Sequence, residues 1–258
     1  MAWVREAVEV LAPTTGHWTF VSSVNVYADP AALGQTPASP LLPVVDAPHS
    51  ELDETSVEVH GGVKLACEEV VRAAGVPAFF PRPGQITGPG DAMDRFGYWP
   101  NRFSRGGRVA VPDNPDQPVL HIDVRDLAAW IVRAGERRQS GTHDAVGPVM
   151  RLADVLAEVR SLVAPPGTEV VPIAPSALAE AGVAPRAGPR SMPLWLPPSH
   201  YGLFAHDPAP SFAAGLSTRP LAETVVAALA EERARGLDRQ RQAGLTPAEE
   251  AELLATSA

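Results

Sequence analysis

His60-Gly61-Gly62-Val63-Lys64 runs on as Leu65-Ala66-Cys67-Glu68-Glu69-Val70-Val71. Val63, Ala66, Cys67, Val70, Val71 and Ala74 recur at helical spacing and Gly75 supplies a stop, so a helix is expected over 61–74. Lys64 is the only lysine; the other 20 of the 21 basic residues are arginines. An ammonium is a compact point charge and a guanidinium a planar fork, so one lysine kept in an arginine-rich chain points to a place the fork does not fit. The alternative is chance survival of one lysine on a solvated helix face.

The chain has 258 residues, room for one large domain or a domain with a smaller lobe. Apolar residues make up 45% and charged residues 20%, enough for a sizeable core. The net charge is −9 and no basic block occurs, so nucleic acid is not an expected partner. One cysteine, Cys67, leaves no intrachain disulfide and no cysteine cluster for zinc. The seven histidines show no metal-ligand spacing, so no metal is expected. No apolar run reaches membrane-spanning length and no basic-then-apolar leader begins the chain, so no membrane partner and a cytoplasmic location are expected.

Around the opening stretch, periodicity gives a helix at 2–11 and a strand at Trp18–Val21. Residues 28–57, rich in proline, serine and acidic residues, read as a long loop. A strand is expected over Val76–Arg82, strained or partly unpaired because Pro77 and Pro81 lack ladder donors. A turn-rich segment, Pro83–Asp91, follows where open α/β sheets carry ligand loops. Then come a short helix within 96–105, a strand at Val119–Ile122, a helix capped by Asp126, and a strand at Thr142–Val146. Helices at 151–163 and 175–181 flank a strand at Glu169–Ile173. An irregular stretch spans 185–210, a helix spans Thr218–Arg235, and 237–258 reads as a polar tail with room for a last helix from Pro247. A helix that feeds directly into a buried-type strand suggests that the chain enters its fold partway through.

Four segments then resemble, in order, the extended short-chain dehydrogenase/reductase family, also called the NAD-dependent epimerase/dehydratase family. Ser22-Ser23-Val24-Asn25-Val26-Tyr27 is similar to its SS-x-x-V-Y segment, and His60–Lys64 takes the place of its Y-x-x-x-K. Arg82-Pro83-Gly84 with Gly88-Pro89-Gly90-Asp91 resembles RPG…GPGD, and His121–Ala128 resembles I-H-V-x-D-L-A. The resemblance implies an α/β fold: the C-terminal portion of a Rossmann-type parallel sheet flanked by helices, with a small C-terminal substrate lobe. The expected division is 1–147 for an incomplete NAD(P)-binding domain, 148–236 for the lobe and 237–258 for the tail, with 91–121 contributing to the lobe. It implies NAD or NADP as cofactor and a small-molecule or sugar-like substrate reacting at a hydroxyl or carbonyl; a homodimer is allowed for. Ser23, His60 and Lys64 take the catalytic positions; Ser22, Lys64, Pro83 and Gly84 take cofactor positions.

Two departures qualify that expectation. No G-x-x-G-x-x-G turn for a pyrophosphate occurs in the chain, which by the family pattern starts at about the fourth helix. His60 stands where the catalytic tyrosine belongs; imidazole suits proton transfer near neutrality but ends roughly 2 Å nearer the backbone than a phenol oxygen. The alternative reading is a non-catalytic nucleotide- or protein-binding relative, or an inactive fragment.

Further candidates have plainer alternatives. His121 could line a substrate cleft or be a hydrogen-bonded structural histidine. Tyr98, Trp99 and Phe103 could touch substrate or belong to the core. Arg95, Arg102 and Arg105 could meet a phosphate or carboxylate, or be solvated.

Overall fold

The computed structural model describes residues 2–47 and 56–256, so the part of the expected loop at 48–55 lies outside the described residues. In chain order the elements are α1 (Ala2–Leu11), β1 (Trp18–Thr19), a 3-10 turn (Val24–Val26), α2 (Val57–Ala73), β2 (Ala78–Pro83) and β3 (Ile86–Thr87). Next come α3 (Tyr98–Ser104), β4 (Arg108–Pro112), β5 (Pro118–Val119), β6 (Ile122–Asp123), α4 (Val124–Glu136), β7 (Gly141–Ala145) and β8 (Met150–Arg151). The last third holds α5 (Leu152–Val163), β9 (Glu169–Ile173), α6 (Pro175–Glu180), β10 (Ala184–Pro185), β11 (Ser191–Met192), a second 3-10 segment (Pro198–Phe204), α7 (Ala209–Ala213), α8 (Leu221–Arg235) and α9 (Pro247–Thr256).

Three local expectations are corrected. The helix expected at 61–74 begins at Val57, because the Ser56 hydroxyl accepts from Val59 N at 3.2 Å and caps it there. His60 is therefore inside the first turn. Asp123, not Asp126, caps α4: its Oδ1 accepts from Arg125 N at 2.9 Å, while Asp126 sits in the first turn, where a negative charge suits the helix dipole. The strand expected at Val119–Ile122 is two short strands, β5 and β6, with Leu120 and His121 between them.

The chain divides into two compact units. One comprises Met1–Gln85, Leu120–Val149 and His200–Thr218; the other comprises Ile86–Val119, Met150–Ser199 and Arg219–Ala258.

The first unit is built on a parallel sheet in the order β1-β2-β7. β2 is central and wholly buried, and it is partly unpaired on the β1 side, as its prolines lead one to expect. Pro77 lies outside it. Pro81 has no N–H to give β1, and regular pairing with β1 runs only through Thr19. The carbonyls of Phe79 and Pro81 still accept from Phe20 N (3.0 Å) and Ser22 N (2.8 Å), so half the ladder continues. Side chains alternate across the sheet as a pleat requires. Ala78 and Phe80 pack with Val71 of α2 and with Val4 and Val8 of α1. Phe79 points the other way, edge-on to Trp130 of α4 at 4.9 Å between centroids. Helices thus cover both faces, the layering expected of a parallel sheet.

The second unit pairs β4 with β9 in parallel and β5 with β8 antiparallel. Its core joins Trp99 and Phe103 of α3 to Val109 and Val111 of β4, Leu152, Val155 and Val159 of α5, and Val225 of α8. The segment after Gly236 ends in α9, whose Leu253 and Leu254 are buried with Ile173, Leu178 and Leu245.

Candidate functional site

The Ser23 turn and the Lys64 helix meet in the first unit. Ser23 is extended and its Oγ accepts from Asn25 N at 3.1 Å, which starts the 3-10 turn. α2 lies against that turn because Gly61 and Gly62, in its second turn, carry no side chains. A Cβ at 61 would run into the Asn25 carbonyl oxygen, and one at 62 would meet Pro43 O at 2.7 Å and the Val45 side chain. The segment lying over these glycines is fixed by bonds from Val45 N to Gly62 O (3.1 Å) and from Leu42 N to Val26 O (2.9 Å).

That packing brings Lys64 to the strand end. Its Nζ donates to Val21 O at 3.0 Å and lies 5.2 Å from the Phe20 ring centroid. Val21 precedes Ser23 by two residues and Asn25 follows it by two, so α2 holds the turn from both sides. Burial lowers the Lys64 pKa, against the nearby Cys67 and Glu68. Among the described residues this is the one hydrogen bond of an ammonium with three donors. His60, one turn earlier on the same helix face, is exposed. Ser22 is buried with its N–H on the Pro81 carbonyl.

Below the turn lies a buried polar network that the motifs alone do not announce. Arg82 donates from Nε to Glu68 Oε1 (2.9 Å) and from Nη2 to Glu68 Oε2 (2.8 Å), a bidentate pair at 2% and 0% exposure. Arg82 Nη1 also donates to Tyr27 OH at 3.2 Å, and Tyr27 OH donates to Asp144 Oδ1. His206 Nδ1 stands 3.0 Å from Asp144 Oδ2. Burial alone would lower the Arg82 pKa; its bonds to Glu68 overcome this and hold it above the usual value. Burial likewise works against the Glu68 carboxylate, and Arg82 pulls it below its usual range. Burial, then the Asp144 charge, push the Tyr27 phenol well above its ordinary value. Tyr27 is thus a fixed donor, not a substitute for the tyrosine absent at position 60. The available sequence signal was Glu68, three residues from both Leu65 and Val71 on the buried face of α2.

The remaining candidates are dispersed. Pro83 ends β2. Gly84 is glycine because a Cβ there would run into Leu120 and meet Val146 at 3.2 Å; its N–H donates to Ala145 O at 3.3 Å. His121 is partly buried, and that desolvation pushes its imidazole below the usual value against the charges of Asp123 and Asp126. Tyr98 and Trp99 are core residues of the second unit: Trp99 is fully buried with Nε1 donating to Pro193 O at 2.8 Å, and the rings of the two meet edge-to-face. Among the described residues no three His, Cys, Asp or Glu side chains converge as metal ligands do, and no helix is long and apolar enough to cross a membrane.

No family model matches the chain, and no curated protein matches it. Solved structures do. The Bordetella bronchiseptica enzyme WbmH, in complex with NAD+, aligns at a TM-score of 0.59 and 18% identity over 89% of this chain. MoeE5 in complex with UDP-glucose and NAD aligns at 0.59 and 15% identity over 91%. UDP-glucuronic acid 4-epimerase from Bacillus cereus, in complex with NAD, aligns at 0.59 and 12% identity over 90%. The chain spans 66%, 71% and 66% of those proteins respectively. At such identities the likeness establishes the fold, a Rossmann-type α/β arrangement of parallel strands flanked by helices.

Proposed function

We propose that this chain belongs to an NAD(P)-dependent oxidoreductase or epimerase/dehydratase acting on a hydroxyl or carbonyl of a small, sugar-like substrate. The carrying observation is Lys64, the one lysine, held by two close-packed glycines against the turn that presents Ser23. The solved structures of like fold that contain NAD, two of them with nucleotide-sugar names, support this reading.

The residues present fit the nicotinamide end of such a cofactor. Lys64 has donor capacity left for ribose hydroxyls, and Pro83 and Gly84 close the central strand β2. When bound, the cofactor would supply hydride transfer. Ser23 would hydrogen-bond the reacting oxygen, Lys64 would orient the ribose, and its charge would favour the deprotonated form of a neighbouring acid/base. His60 holds the acid/base position. The first unit would carry this chemistry and the second would serve as substrate lobe. No residue is assigned to the pyrophosphate, since the chain has no G-x-x-G-x-x-G turn.

Titration of the folded chain with NADH and NADPH, followed by nicotinamide fluorescence, tests the proposal. Binding at millimolar affinity or tighter is expected, and a folded sample that binds neither rejects it. The second reading, a non-catalytic relative, is favoured by His60, whose shorter ring reaches less far than a phenol. It predicts cofactor binding with no turnover and no gain from His60→Tyr.

A further inference from the structure

The bidentate pair of Arg82 and Glu68 is enough to fasten β2 to α2, yet the buried polar chain does not stop there. Arg82 and Asp144 stand opposite each other in the parallel register of β2 and β7. The Tyr27 hydroxyl accepts from Arg82 Nη1 at 3.2 Å and donates to Asp144 Oδ1, so both neighbours fix its direction. His206 completes the chain. It is fully buried, its ring centroid is 5.1 Å from that of Tyr27, and its Nδ1 is 3.0 Å from Asp144 Oδ2. A carboxylate only accepts, so this bond assigns the proton to Nδ1. Nε2 is left without a hydrogen bond among the described residues.

His206 lies on the segment that returns to the first unit at His200–Thr218. That segment is tied down on both sides of it. Gly34 N donates to Ala205 O at 2.6 Å, Asp207 N to Gln35 O at 3.0 Å, and Ser211 Oγ to Asp144 O at 2.5 Å. Tyr27, Asp144 and His206 therefore lock together three stretches of chain that are far apart in sequence.

Stability alone does not call for this arrangement. Well-packed apolar side chains of the same volume are often as stable as buried charged groups, and a buried nitrogen without a partner is a cost. What a connected polar chain adds is one fixed arrangement of the segments it joins. Two of those segments carry the candidate site. Tyr27 closes the turn that begins at Ser23, with its N–H on Val24 O at 3.4 Å, and Glu68 lies one turn beyond Lys64 on α2.

We propose that Tyr27, held by Asp144 and His206, is a positioning residue that sets the Ser23 turn against Lys64. The claim deepens the reading of Ser23 and Lys64 as site residues and rests on it. Tyr27 acts only through the turn it closes, since Arg82 and Asp144 occupy its hydroxyl.

The test uses the folded chain isotopically labelled at the lysine side-chain nitrogen, where Lys64, the one lysine, gives one nuclear magnetic resonance signal. That signal reports the Phe20 ring 5.2 Å away and the bond to Val21 O. Tyr27→Phe keeps the ring and removes the hydroxyl. It should move the Lys64 signal and raise its titration midpoint towards that of a solvated lysine, because burial is what lowers it. It should also weaken NADH binding about threefold or more, the loss of roughly one hydrogen bond's worth of fixed geometry. His206→Leu should act in the same direction. His206→Asn should restore wild-type signal and affinity, because its amide nitrogen can stand where Nδ1 stood. The His206 pair decides the matter should Tyr27→Phe not fold. Val159→Ala, in the core of the second unit, should lower the urea midpoint and leave the Lys64 signal in place. An unmoved Lys64 signal with unchanged NADH affinity in folded Tyr27→Phe or His206→Leu overturns the proposal, whatever the loss of stability. So does failure of His206→Asn to restore them. A wild type that binds no NADH overturns the cofactor reading alone, and the Lys64 signal still decides whether Tyr27 sets the turn.

Discussion

Arg82 in the first unit and Arg95 and Arg186 in the second are held differently. Arg82 in the first is 2% exposed and fully answered by Glu68 and the Tyr27 hydroxyl. Arg95 and Arg186 in the second are partly buried and make no hydrogen bond or ion pair among the described residues, although the charge of Asp91 acts on Arg95 and carboxylates of that unit hold other arginines. Folding alone explains the first arrangement: Arg82 ties β2 to α2 and, through Tyr27, to the end of β7. It does not explain the second. The difference teaches that an arginine fastens this fold only where an acceptor is built in.

The contrast breaks most visibly at Arg82. Arg82→Gln leaves Glu68 buried with only Arg72 beside it, and should cost about 3–5 kcal/mol of unfolding free energy in urea. A loss under about 1 kcal/mol would mean the network is not a fastening. Gly61→Ala comes next: the added methyl must displace the Asn25 carbonyl, for roughly 1–3 kcal/mol, measurable by the same unfolding curve. Lys64→Met should leave stability within about 1 kcal/mol and weaken NADH binding about tenfold, read by fluorescence titration. Unchanged affinity would reduce Lys64 to a structural tie to Val21.

The smallest effect is on pH. Burial holds His121 below its usual pKa, opposed by Asp123 and Asp126, and holds His143 below it, opposed by Asp144. The unfolded chain therefore takes up protons first, near pH 6.5, and stability falls as pH drops below that value. The slope cannot exceed about 1.4 kcal/mol per histidine per pH unit. The urea midpoint should be lower at pH 5.5 than at 7.5, and His121→Gln should narrow the gap.

Element order was legible because periodicity survives burial: the helix expected at 2–11 and the strand at 169–173 stand where the spacing placed them. The starts of helices were less so. Ser56 and Asp123 are caps whose hydrogen bonds decide between neighbouring candidates, and a spacing rule does not see them. β2 was legible as a strand short of a donor at Pro81, and burial on both faces holds it in the centre regardless. Of the site, Lys64 and Ser23 were legible as chemistry; whether they meet depends on Gly61, whose meaning is a close approach that no composition reveals. Of the three arginines singled out, Arg102 and Arg105 pair with Glu250 and Asp238, which spacing alone does not show.

One comparison tests the central claim most directly: the urea midpoints of Arg82→Gln and Arg186→Gln. The account predicts opposite signs, Arg82→Gln below wild type and Arg186→Gln above it by on the order of 1 kcal/mol, because removing a partly buried cation that makes no hydrogen bond relieves a cost. A midpoint for Arg186→Gln below wild type would contradict it, since Arg186 would then be a fastening like Arg82.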